Sequence, residues 1–139
     1  MMQFAKIFSS FVLCLVISGC GYSKITAGEA TREQMLKTAC EQLAKNLYWS
    51  DYIKIFPIFE PATFRKFADE RQKEFKGRKI VSVDVGTVTH LEDGLKAKVE
   101  LEVKYFNAPF YNVEEKTESY QFHYDRFGEG WVVESYSLN

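Results

Sequence analysis

A chain of 139 residues is long enough for one domain and too short for two comfortable ones. Hydrophobic residues at 46% and aromatics at 16% are ample for a packed core, and charged residues at 27% suit an ordinary water-facing surface. A formal net charge of -1 without long basic runs argues against a nucleic-acid-binding or polybasic membrane-surface protein.

Residues 1–17 carry Lys6 as their one charged side chain. Within them, residues 7–17 form an apolar run of secretory length, too short for a comfortable membrane span. The run ends in Ile17-Ser18-Gly19-Cys20. This tetrad resembles the bacterial lipobox: an aliphatic residue, a small residue, Gly or Ala, then Cys. The resemblance implies that residues 1–19 are a lipoprotein signal peptide and that the Cys20 thiol receives a diacylglycerol. The new amine would then take a further acyl chain such as palmitate. Each buried methylene contributes about 0.8 kcal/mol and stable anchoring takes more than one chain, so a multiply acylated Cys20 would hold the membrane without a spanning helix. Gly21 stands where enteric lipoproteins retained in the inner membrane tend to carry Asp. The resemblance therefore implies a bacterial envelope protein on the outer membrane, facing the periplasm.

Residues 20–29 read as the lipidated cysteine and a flexible tether, with Gly21 and Gly28 and no apolar period. Of the three cysteines, the resemblance implies that Cys14 leaves with the leader and that Cys20 is acylated. With Cys20 lipidated, Cys40 alone would keep a free thiol and no disulfide framework would be possible; Cys40 is expected as a small buried hydrophobe.

A single domain spans residues 30–139. Thr31 with Gln34 gives a capping-box pattern for a first helix. Leu36, Cys40, Leu43 and Leu47 then recur at helical spacing, widened by Met35 and Ala39. An aromatic corner, Tyr48-Trp49-Ser50-Asp51-Tyr52, interrupts the helix. Ser50 is expected to cap a short second helix that stops near Pro57. Glu60-Pro61 restarts a third, because proline suits the first helical turn. Phe64, Phe67, Ala68 and Phe75 mark its apolar face, and Gly77 ends it.

Beyond Gly77 the period becomes two. Val81, Val83 and Val85 alternate with Ser82 and Asp84, and Gly86 marks a bulge. Glu92-Asp93-Gly94 is a turn. Leu95, Ala97, Val99, Leu101, Val103 and Tyr105 then face one way and Lys96, Lys98, Glu100, Glu102 and Lys104 the other. Asn107-Ala108-Pro109 ends that strand. A third strand covers residues 117–126, with Tyr120, Phe122 and Tyr124 on one face. Gly128-Glu129-Gly130 turns into a last strand, residues 131–138.

Helices followed by a four-stranded antiparallel meander, with the helices on one face of the sheet, define the α+β class. In order and size of elements, residues 30–138 resemble the nuclear-transport-factor-2-like, cystatin-like cone. The resemblance implies a curved sheet wrapped on a long helix with a pocket between them.

Strand parity puts Asp84 and His123 on the solvent side, and His90 precedes a turn, so none is a strong catalytic candidate. Two histidines and one remaining thiol leave no metal cluster, and phosphate-loop and nucleophile-elbow patterns are absent from the sequence. No cofactor is expected. The pocket side offers Tyr105, Tyr120 and Tyr124, with Tyr48, Asp51 and Tyr52 at the corner, a set suited to a small apolar ligand with a few polar handles. A loop containing Phe106, Pro109, Phe110 and Tyr111 clusters aromatics where a protein partner could dock. The expectation is a lipid-anchored, non-catalytic binding or interaction module, partnered by the membrane through Cys20 and by an envelope protein or small apolar ligand. The alternatives are a pocket enzyme of the cone fold using Asp51 or the tyrosines, and a structural subunit of an envelope or secretion assembly.

Overall fold

The computed structural model describes residues 23–139. The leader, Cys20 and the first residues of the tether lie outside the described residues. The chain divides into two units at the boundary between Gln34 and Met35. Helix α1 (Ser23–Tyr48) is followed by α2 (Tyr52–Ile55), a 3-10 turn (Phe56–Ile58) and α3 (Pro61–Glu74). Strands β1 (Arg78–Leu91), β2 (Lys96–Asn107), β3 (Glu114–Asp125) and β4 (Gly130–Ser137) then pair antiparallel in the order β1-β2-β3-β4. This is the expected α+β architecture, helices first and an open meander second.

Helix α1 begins at Ser23, so Thr31 lies inside it and does not cap it, and residues 23–29 of the expected tether are helical. An interior amide bonds the carbonyl four residues back and needs no hydroxyl. Gly28 costs about 1 kcal/mol against alanine, but Ala27, Glu29 and Ala30 around it favour helix. The expected stripe is kept: Leu36, Cys40, Leu43 and Leu47 are buried, joined by Ala44.

The corner is built differently from the expectation. Ser50 has φ 53°, its N–H bonds Leu47 O at 3.2 Å and Asp51 N–H bonds Asn46 O at 2.9 Å. That is a Schellman motif with serine in the left-handed position. The α2 cap is therefore Asp51, whose Oδ1 accepts the Lys54 N–H at 3.3 Å. Pro61 opens α3 as expected, and Gly77 follows at φ 76°.

In β1 the simple alternation fails at Val81. Ile80 pairs with Tyr105 and Ser82 with Lys104, leaving Val81 as the extra residue of a bulge and exposed. A second shift between Val85 and Val88 includes Gly86, the bulge the glycine predicts. A side chain at Gly86 would meet the Glu100 carbonyl at 3.1 Å. β2 keeps its phase throughout: Ala97, Val99, Leu101 and Val103 are all inaccessible. With Tyr120, Phe122, Trp131 and Val133 they form the sheet side of the core; Leu43, Leu47, Ile55, Phe59 and Phe67 form the helical side.

Candidate functional site

The space between helices and sheet is filled. Phe59 stacks on Phe67 with centroids 4.5 Å apart, and Tyr120 meets both edge-on at 6.2 and 5.8 Å. Tyr136 closes on Phe67 at 5.1 Å. Aromatic pairs in these geometries add to the apolar burial that holds a core together.

The six residues expected to line a ligand pocket do not converge on one cavity. Tyr48 is exposed and meets Trp49 edge-on at 4.9 Å. Asp51 is occupied as the α2 cap, and Tyr52 packs partly on the core. Tyr105 lies under the Arg78 guanidinium at 4.8 Å and beside Phe75 at 5.8 Å. Tyr120 is central and inaccessible, while Tyr124 packs on Trp131 at 5.5 Å.

Two charged residues missed by the sequence reading face this interior. Arg71 and Glu118 are both fully buried. Arg71 Nε lies 3.4 Å from each Glu118 oxygen, and Nη2 lies 3.4 Å from Oε1. Arg71 Nη1 donates to Leu47 O at 3.4 Å, tying α3 to the end of α1, and the guanidinium sits 4.5 Å from the Phe75 ring centre. The Tyr120 hydroxyl donates to Glu118 Oε1 at 3.0 Å. Burial is the largest influence on Arg71 and opposes its charge, but the Glu118 carboxylate together with Tyr120 and Tyr52 outweighs it, and the guanidinium is held above its ordinary range. Burial first, and then the Glu118 charge, push the Tyr120 phenol well above its ordinary value, so it stays a donor. Sealed from water, this cluster cannot exchange a proton with a substrate; it is a polar brace linking α1, α3 and β3. Glu118 is thus an inward-pointing carboxylate that strand parity, applied to Asp84 and His123, did not single out. The signal was periodicity: Arg71 falls in phase with Phe64 and Phe67, and Glu118 in phase with Tyr120 and Phe122.

Asp84 and His90 are exposed, as parity and the turn predict. His123 is half-buried on the outer face, Nε2 3.5 Å from Glu60 and Nδ1 3.2 Å from Glu134, the latter without hydrogen-bond alignment. Glu134 also contacts Lys96 at 3.3 Å and accepts from Gln121 at 2.9 Å. Among the described residues no group of three or more His, Cys, Asp or Glu is placed to hold a metal ion.

Two accessible features remain. In the β2–β3 loop, Phe106 packs against Tyr111 with centroids 5.6 Å apart, and the Ala108–Pro109 bond is cis. Phe110 and Tyr111 there are 71% and 81% exposed, so neither folds back to close the sheet. An open cleft of about 850 Å³ lies between α3 and β4, lined by residues including Thr63, Lys66, Glu70, Lys73 and Tyr136. None of the residues expected in a pocket takes part in it.

Among the described residues no helix is long and apolar enough to cross a membrane. No protein-family model and no curated protein matches the chain. Among solved structures, the intermembrane space region of the chloroplast protein ARC6 aligns with a TM-score of 0.39 and 16% identity, over 81% of this chain and 93% of that chain.

Proposed function

We propose that this is a lipid-anchored bacterial envelope protein whose α+β domain, a cone-like fold with a filled interior, serves as a non-catalytic interaction module. The observation that carries the module reading is the β2–β3 loop, where Phe110 and Tyr111 stand in solvent at 71% and 81% exposure. Exposed aromatics grouped on one loop favour partner contact. The interior favours no enzyme: Phe59, Phe67 and Tyr120 occupy it, and the one buried carboxylate among the described residues, Glu118, is sealed against Arg71. The anchor reading rests on Ile17-Ser18-Gly19-Cys20 behind the apolar leader, and the outer-membrane address on Gly21.

The anchor is tested by fatty-acid labelling of the Cys20→Ser variant in cells: label should vanish and the precursor accumulate, and persistent label refutes it. The module is tested with a photocrosslinking residue placed at Phe110, at Tyr111 and, as a control on the outer sheet face, at Lys98. Discrete adducts from the two loop positions only are expected. Equal adducts from all three positions, or none, overturn the loop as the contact surface.

A further inference from the structure

The outer edge of β4 is only partly used. At Val133 the chain's own Phe59 forms a parallel bridge, and the Glu60 N–H donates to Val133 O at 3.1 Å. Thr63 Oγ1 donates to the next carbonyl, Glu134 O, at 3.2 Å. Beyond that point, among the described residues, no backbone hydrogen bond reaches the outer edge of residues 135–137. An edge strand with unpaired amides and carbonyls is a template for another extended chain. Ser135 and Ser137 are small and exposed, and the bulky Tyr136 between them is turned onto α3, its ring 5.1 Å from Phe67 and its hydroxyl 2.7 Å from Glu70.

The cleft of about 850 Å³ runs along this edge, with one stripe of α3 as its other wall. The stripe holds two acids and two lysines. The acids are engaged: Glu70 accepts the Tyr136 hydroxyl at 2.7 Å, and Glu74 accepts from Lys116 at 3.0 Å and Arg78 at 3.1 Å. Lys66 and Lys73 extend into water, 75% and 76% exposed. Each is paired only along its own helix, Lys66 to Glu70 at 3.7 Å and Lys73 to Asp69 at 3.0 Å. Solvated pairs of this kind are weak and exchange readily for a better partner.

We propose that the α3–β4 cleft binds an extended acidic peptide segment, which adds to β4 as a fifth strand at residues 135–137 and sets its carboxylates against Lys66 and Lys73. In strand addition the backbone bonds supply affinity and the facing wall supplies selectivity. The three side-chain carboxylates lining the cleft are engaged, Glu70 by Tyr136, Glu74 by Lys116 and Arg78, and Glu134 by Lys96 and Gln121. The exposed Lys66 and Lys73, held only in weak pairs along their own helix, are therefore the charges an arriving chain can recruit, and they select an acidic one. The bridge at Phe59 shows that this edge already accepts a parallel neighbour. The inference shares with the proposed function the reading of the domain as an interaction module, but its own observations are those of the α3–β4 cleft and not the anchor or the β2–β3 loop.

The test uses the full chain in mild detergent and a labelled peptide of alternating valine and glutamate. The same peptide with alternate backbone nitrogens methylated, and a valine–lysine version, serve as controls. The acidic peptide should bind, slow amide exchange at residues 135–137, and lose about tenfold in affinity on N-methylation, as lost backbone bonds require. The lysine peptide should bind at least about tenfold more weakly, and Lys66→Glu with Lys73→Glu should reverse that preference. Equal binding of the methylated peptide would reduce the cleft to a charged surface and overturn strand addition. Protection that appears at the β2–β3 loop, or no binding of the acidic peptide, also overturns the proposal. Neither result touches the crosslinking test of that loop.

Discussion

Arg71 Nε sits 3.4 Å from both carboxylate oxygens of Glu118, with neither side chain accessible to water. The pair has lost two hydration shells, so its net contribution to stability is small, but its halves depend on each other. Removing one partner from a buried pair costs roughly 3–5 kcal/mol, because the other charge stays behind unpaired. Glu118→Leu is therefore expected to lower the urea midpoint steeply. Adding Arg71→Met should restore most of the loss, since matched apolar replacements of a buried pair are often neutral. If the double variant is as unstable as the single one, the pair is not a coupled unit.

Leu101 is the middle of the best-patterned strand and is inaccessible. Leu101→Asp places a second carboxylate in the core directly across from Glu118, its register partner on β3, so one guanidinium, Arg71, would face two buried acids, and the added desolvation and like-charge repulsion exceed what a marginally stable domain can absorb. The variant should lack a cooperative thermal transition by circular dichroism. A melting curve like that of the parent would mean that β2 is out of phase with the description above.

How far the sequence could be read depended on how local each determinant is. β2 was legible residue by residue because a buried face and a wet face alternate without interruption. β1 was legible only in part: Gly86 announces its bulge, but Val81 carries no such mark, and its displacement comes from pairing with Tyr105 and Lys104 across the sheet. Ser50 and Asp51 both have capping side chains, and the choice between them was settled by the Schellman bonds to Asn46 and Leu47. Arg71 and Glu118 lay in plain phase with apolar neighbours, yet a charge in an apolar stripe declares itself buried only when its partner is found, forty-seven residues away here. The α3–β4 cleft needed the tertiary fold, because it joins a helix stripe to a strand edge that no local pattern marks.

Cys40 is 2% exposed, and burial, followed by the nearby Glu41 charge, pushes its thiol up to about 12. The thiolate is the reactive form. Native protein should thus resist iodoacetamide at pH 8 while urea-unfolded protein is alkylated rapidly, with mass spectrometry as the readout. Fast labelling of the native chain at this site would show that α1 opens readily from the sheet.

The acid limb of the stability curve should carry the signature of Glu74. Its carboxylate is held below its ordinary value, first by the Lys116 hydrogen bond and then by the Lys116 and Arg78 charges, which overcome partial burial. A depressed folded value means that the unfolded chain takes up the proton first as pH falls. The stabilisation is therefore complete above the unfolded value of about 4.3, and it disappears as pH drops through the folded value. The side chain is 38% exposed, so solvent screening holds the contribution to under about 1 kcal/mol. Glu74→Gln should accordingly be slightly less stable than the parent at pH 7 and equal to it in strong acid, measured as urea midpoints across the pH series. A gap that stays constant down to pH 2 would assign the loss to side-chain packing and not to the charge.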